Sequence, residues 1–205
     1  MDRIVIPGEL LAERPIRSEN TLVEGNMTYA TVLSLFDEAK GVLIPLESVW
    51  YPKHGETVIG IIEETRLNSY NVDLNSSFKG MILSKFSETR FAQGDIVEAV
   101  VRDIDETKTV MLMHARSLYG GKIIDIKPSK IPRIIGRENT MLNQLMQGTM
   151  SSIKVGTNGR VWIKGGDASL ATEAILRIQE EAHTAGLTER IKTMLESKNG
   201  NGNKV

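Results

Sequence analysis

With 205 residues, 40% of them hydrophobic and 25% charged, the chain has the make-up of a soluble globular protein of one to three small domains. It contains no cysteine, which excludes disulfides, thiolate nucleophiles and Cys-based zinc or iron–sulfur sites. The net charge is only −1, but the basic residues are unevenly placed. Residues 1–54 and 55–117 each carry net −3, whereas residues 118–182 carry +3 and residues 183–205 carry +2. Lys122, Lys127, Lys130, Arg133 and Arg137 face a single acid, Asp125, within one short stretch. Such a basic segment is the electrostatic signature of nucleic-acid contact, or else an ordinary solvated face. No run approaches the roughly eighteen apolar residues that would span a membrane. Met1–Pro7 has no long apolar stretch of signal-peptide type. A cytoplasmic protein with no membrane partner is expected.

Residues 1–54 are expected to form a small β domain for packing or docking. Ile4-Val5-Ile6 runs into the turn dipeptide Pro7-Gly8 and then Leu10-Leu11. Tyr29–Phe36 is a second β-rich run, and Val42–Leu46 follows Gly41. Glu9, Glu13, Glu19 and Glu24 are too scattered to act as a general acid/base pair.

Residues 55–117 contain five short β runs bounded by glycines and turns. They are Val58–Ile62, Tyr70–Leu74, Gly80–Leu83, Ile96–Val101 and Val110–Met113, with a polar turn at Asp103–Lys108. Five strands with glycine at the bends fit a five-stranded OB barrel, which binds single-stranded nucleic acid on one face. Gly60-Ile-Ile, Tyr70-Asn-Val-Asp-Leu, Gly80-Met-Ile-Leu and Gly94-Asp-Ile-Val-Glu-Ala-Val-Val resemble the S1-type RNA-binding domain. The resemblance implies aromatics on the second strand and a His after the glycine of the third. Asn68 and Asn71 stand where the rings would be, and Leu83 where the His would be. Tyr70 alternates with Val72 and Leu74, which assigns it to the core. RNA contact on this barrel then falls to Arg66, Asn68, Asn71, Lys79, Lys85 and Arg90. Without base stacking, typically worth about 1–3 kcal/mol per base, binding should be weak, charge-dominated and sequence-tolerant.

Residues 118–185 have the order β-α-turn-α-β-β-α of a KH domain. Lys122–Ile126 is the first strand, and Ile131–Ile135 leads into Gly136. Thr140–Met146 has helical apolar spacing, and Ser151–Val155 and Arg160–Lys164 flank Gly156-Thr157-Asn158-Gly159 as a hairpin. Asp167 or Ser169 can cap a final helix whose stripe includes Ile175, Ile178 and Ala182. A KH phosphate turn is Gly-x-x-Gly between helices, where glycines let the backbone approach the sugar–phosphate chain. Here it is Gly136-Arg137-Glu138-Asn139. Asn139 tolerates positive φ, so the turn geometry is expected to survive, while Glu138 sets a like charge beside any phosphate. Lys130, Arg133, Gly136, Arg137 and Asn139 are the candidate RNA contacts of this module. Residues 186–205 should hold a helix over Leu187–Leu195 and then a polar, disordered tail.

Catalytic chemistry finds no support. His54, His114 and His183 lie in separate segments without metal-ligand spacing, and no P-loop or nucleophile elbow is present. Asp103, Asp105 and Glu106 are read as a solvated turn rather than a divalent-ion site. No catalytic residue, metal or cofactor is expected.

The chain as a whole is thus multidomain and mainly β with α+β: an N-terminal β domain (1–54), an S1-type OB barrel (55–117), a KH domain (118–185) and a C-terminal helix and tail (186–205). Over residues 1 to about 185 it resembles the archaeal exosome RNA-binding cap subunit, the ribosomal RNA-processing protein 4 family. The resemblance rests on Val5–Leu10, Lys127–Arg137, Met141-Leu142-Asn143 and Val155–Ile163. The hairpin Gly156, Thr157, Asn158, Gly159 matches that family's signature in full. What the resemblance implies is a homotrimeric cap on a hexameric ring of RNase PH-like, phosphorolytic subunits. The cap would recruit single-stranded RNA and thread it into this 3′–5′ exoribonuclease, with the barrels lining the inlet pore. A mainly structural, ring-stabilising subunit is the alternative. A free-standing translational S1-KH protein is disfavoured by Pro7-Gly8-Glu9.

Overall fold

A computed structural model describes residues 2–16, 20–38, 41–45, 50–87, 89–182, 184 and 186–201. The chain divides into two compact units, Met1–Val49 and Trp50–Val205.

The first unit is built from six short strands: β1 (Asp2–Val5), β2 (Leu10–Ala12), β3 (Thr21–Glu24), β4 (Met27–Ala30), β5 (Ser34–Asp37) and β6 (Val42–Pro45). They form two three-stranded sheets, ordered β1-β5-β6 and β2-β4-β3. Val5, Leu11, Ala30, Phe36 and Leu43 make the core. Thr28, fully buried, donates its hydroxyl to the Arg14 carbonyl and accepts the Ile16 amide. The run expected over Tyr29–Phe36 is two strands in two sheets, joined by bends at residues 31–33. No glycine or proline marks that crossing, so the composition conceals it. Leu46 and Glu19 lie outside the described residues.

The second unit opens with a closed barrel of β7 (Thr57–Thr65), β8 (Ser69–Asp73), β9 (Lys79–Leu83), β10 (Ile96–Ile104) and β11 (Thr109–Ser117). Going round, the order is β7-β8-β9-β11-β10, with β9 and β11 parallel and the other pairs antiparallel. This is the OB arrangement, in which closure removes free edges. Alternation along each strand sends Val58, Ile62, Tyr70, Val72, Ile82, Val97, Ala99, Val101, Val110 and Leu112 inward. Tyr70 is a core residue, edge-on to buried Phe91 at 5.2 Å. Trp50, grouped by sequence with the N-terminal segment, packs into the barrel core against Phe78.

The KH module shares this unit. Its strands β12 (Lys122–Asp125), β13 (Ser152–Val155) and β14 (Arg160–Lys164) are antiparallel in the order β12-β14-β13. Helices α1 (Ile131–Ile135), α2 (Thr140–Thr149), α3 (Ala168–Glu180) and α4 (Leu187–Asn201) complete it. The Asp167 carboxylate accepts the Leu170 amide and so caps α3, leaving Ser169 inside the helix. Helix α4 continues past Leu195 to Asn201, through the start of the stretch expected to be disordered. Its buried Leu187, Ile191, Met194 and Leu195 join the KH core, and that packing carries the polar turn that follows. Residues 202–205 lie outside the described chain. Helix α2 approaches closely at Gly148, where any Cβ would meet Leu195 at 2.7 Å.

Candidate nucleic-acid interface

The expected RNA-contacting residues fall into three places. Arg66 and Asn68 sit in the loop between β7 and β8, and the Asn68 carbonyl accepts the Ser84 amide at 2.9 Å. That bond brings this loop beside Lys85, on the short 3-10 turn Ser84–Phe86. Arg90 joins the same end of the barrel, because the neighbouring Phe91 carbonyl lies 3.4 Å from Thr65 Oγ1. Lys79 starts β9 at the opposite end, its amide donating to the Lys108 carbonyl. Lys130, Arg133, Gly136, Arg137 and Asn139 belong to the KH turn, apart from both.

Not all of these groups are free for a ligand. Arg66 donates to Glu64 at 2.9 Å, and Asn71 donates to the same carboxylate at 2.8 Å. The hydrogen bond from Arg66 is the main reason the Glu64 carboxyl titrates below its ordinary range. By contrast, Lys79, Lys85, Arg90, Arg133 and Arg137 form no ion pair among the described residues, and all five side chains are exposed.

At the KH turn Gly136, Glu138 and Asn139 all take positive φ, although the second glycine is replaced. Gly136 has φ 72° and ψ 175°, and a Cβ there would meet the Met141 amide at 2.8 Å. Asn139 takes the left-handed conformation at φ 61°, as its side chain permits. Glu138 also does so, at φ 52°, where a residue with an ordinary Cβ is strained by about 1–2 kcal/mol. Thr140 Oγ1 donates to the Arg137 carbonyl and closes the turn onto α2. The turn thus carries an exposed acid at its tip.

The hairpin between β13 and β14 has a role that its sequence does not announce. Asn158 is 1% exposed and sits against the barrel wall, not against solvent. Its amide nitrogen donates to the Ile59 carbonyl at 2.8 Å and the Leu74 carbonyl at 3.0 Å, while its oxygen accepts the Ile59 amide at 3.1 Å. The Thr157 amide adds a bond to the Thr57 carbonyl at 2.9 Å. A Cβ on Gly156 would stand 2.7 Å from the Ile59 amide nitrogen, so only glycine lets the two backbones meet. Arg160, 5% exposed, donates to the Asp73 carbonyl at 2.7 Å and pairs with the Asp73 carboxylate; its Nε lies 3.5 Å from Asp125. Lys154 pairs with Glu98 at 3.4 Å. Barrel and KH module are joined by buried polar contacts, and Arg160 is not among the sequence-based candidates because its barrel partner, Asp73, lies 87 residues away.

Burial opposes the charge on Asp73, but the hydrogen bond from Arg160, the Asn75 amide and the Arg160 charge outweigh it and hold the carboxyl below its ordinary range. A depressed folded pKa contributes stability that is present above the unfolded value of about 3.9 and lost as pH falls through the folded one. Asp73→Asn should therefore flatten the acid limb of the stability curve below about pH 4. Urea titrations from pH 2.5 to 6 check this, and an unchanged acid limb contradicts it.

Asp105 is a turn residue. Its carboxylate accepts the Thr107 hydroxyl, the Thr109 amide and the Thr107 amide, and the Thr107 hydroxyl does most to lower its pKa. No group of three or more His, Asp or Glu among the described residues is placed to hold a metal ion. His183 lies outside those residues. No described helix is long and apolar enough to cross a membrane.

Residues 121–169 match a KH domain family model. Exosome complex component Rrp4 of Pyrococcus abyssi is 37% identical over 95% of this chain and 83% of its own length. The same component of Methanopyrus kandleri is 31% identical over 94% of this chain and 93% of its own. A crystal structure described as a candidate exosome complex RNA-binding protein superposes with TM-score 0.69 and 29% identity, covering 76% of this chain and all of the other.

Proposed function

The chain belongs to the Rrp4 family of exosome complex components, and on that footing we propose that it is the non-catalytic RNA-binding subunit of an archaeal-type exosome. Three copies would cap a hexameric ring of RNase PH-like subunits in the cytoplasm and guide single-stranded RNA toward the phosphorolytic chamber. The observation that carries this reading is the barrel joined to the KH module through Asn158, with exposed cations on the barrel that form no ion pair among the described residues. The join favours one body that presents several weak phosphate contacts over two independent grips. Multiplied by three subunits, such contacts raise local RNA concentration by avidity, yet each lets the strand slide.

In this reading the segments keep the roles their chemistry suits. The outward face of sheet β2-β4-β3 sets Leu10, Tyr29 and Leu22 side by side, with Met27 adjacent, and Leu22 is 49% exposed. An exposed apolar row of this kind on residues 1–54 suits docking on the ring. Residues 55–117 present the RNA path, through Lys79, Lys85 and Arg90. Residues 118–185 brace the barrel, with Lys130, Arg133, Gly136, Arg137 and Asn139 as a secondary phosphate contact weakened by Glu138.

The test pairs two measurements on the full chain: a titration with labelled single-stranded RNA, and a pull-down with the purified ring. Binding of both is expected. The alternative, a mainly structural subunit, is favoured by Glu138 and by the Arg66–Glu64 pair. Ring binding with no measurable RNA binding selects it.

A further inference from the structure

Sequence shows no ring on the barrel strands where a base would stack, but the fold brings one to the barrel's surface. Phe86 ends the 3-10 turn after β9, half-buried, and two cations lie against it. Lys85 Nζ is 5.0 Å from the ring centroid, and the Arg102 guanidinium carbon is 4.7 Å from it. Arg102 comes from β10, at the irregularity between Val101 and Asp103. The His54 ring nitrogen bonds the Arg102 carbonyl at 2.5 Å, which fixes the backbone there. Neither cation forms an ion pair among the described residues; the adjacent Asp103 carboxylate accepts the Ile104 amide instead.

An aromatic face attracts a cation without neutralising it. Two charges held on one ring, with no carboxylate partner among the described residues, are therefore preorganised and still available to an anion. Arg66 illustrates the contrary case, with its charge already matched by Glu64.

We propose that Lys85, Phe86 and Arg102 form a phosphate-gripping node for single-stranded RNA on the outer surface of the barrel. This rests on the RNA-binding reading above and places the strand along the β9–β10 side, past the loop that holds Arg66. Phe86 acts as a positioning residue that sets both cations, and Lys85 and Arg102 touch the phosphodiester.

The experiment measures anisotropy of a fluorescein-labelled oligoadenylate with the full chain between 50 and 200 mM salt. Lys85→Gln with Arg102→Gln should weaken binding about tenfold and make the log–log salt slope shallower by about 1.4, as two phosphate contacts are lost. Phe86→Leu keeps both charges and should weaken binding about threefold. Lys192→Gln, which removes one exposed charge on α4 rather than on the barrel, should stay within about twofold of the unaltered chain. Lys85 and Arg102 are exposed, so the double variant reports on binding even if Phe86→Leu unfolds. Unaltered affinity and slope in that double variant, with the parent chain binding RNA normally, would overturn the node and leave the RNA-binding reading intact. No RNA binding by the parent chain, alone or on the ring, would remove both.

Discussion

Asn158→Ala is expected to destabilise the barrel–KH unit by about 3 kcal/mol, because three buried backbone groups lose their only side-chain partner. The Ile59 amide and the Ile59 and Leu74 carbonyls would face a void at 1% exposure, with no solvent to replace the amide. Urea unfolding of the full chain reads the loss, and the transition should broaden or split as the KH module uncouples from the barrel. Asn158→Asp sharpens the test. Aspartate suits a tight turn about as well as asparagine, so a purely local hairpin would tolerate it. Against the barrel it aims a carboxylate at two carbonyl oxygens and should cost at least as much as alanine. A mild effect of the Asp variant would show that the hairpin is only a turn.

Arg160→Met carries the second large effect. Removing one partner of a buried pair costs about 3–5 kcal/mol when both are fully enclosed. Asp73 keeps 34% of its side-chain surface in water, so screening reduces the expected loss to about 2 kcal/mol. Asp73 and Asp125 are then left facing each other across the join without the guanidinium between them. The double variant Asp73→Asn, Arg160→Met should lose less than the two single losses added together, the sign of direct coupling. Strict additivity would argue that the pair is incidental.

These two residues also mark where sequence reading stops. The barrel strands were legible because glycines and turn residues bracket alternating apolar runs, and Asp167 was legible as a cap because the helix stripe begins just after it. Asn139 was legible as a residue that accepts positive φ, whereas Glu138 at φ 52° was not, since nothing local favours it there. The division of Tyr29–Phe36 between two sheets leaves no punctuation in the chain. Helix α4 reaches Asn201 because its apolar face is buried, which propensity alone does not reveal. Asn158 looked like a hairpin residue because its partners sit 84 and 99 residues away. The same distance effect hid Arg102, which meets Phe86 only once the barrel closes.

What the join changes is the division of labour. On the proposed function, a KH module that is braced against the barrel, with an acid at its phosphate turn, would support the barrel more than grip RNA. RNA contact would then depend, on the same proposal, on exposed cations, with no aromatic stacking on the second strand. The most direct measurement is the salt dependence of RNA binding by the full chain. Three or more phosphate contacts should lower affinity by about tenfold or more between 50 and 200 mM salt, along a straight log–log line. Affinity that stays level across that range would contradict charge-dominated binding.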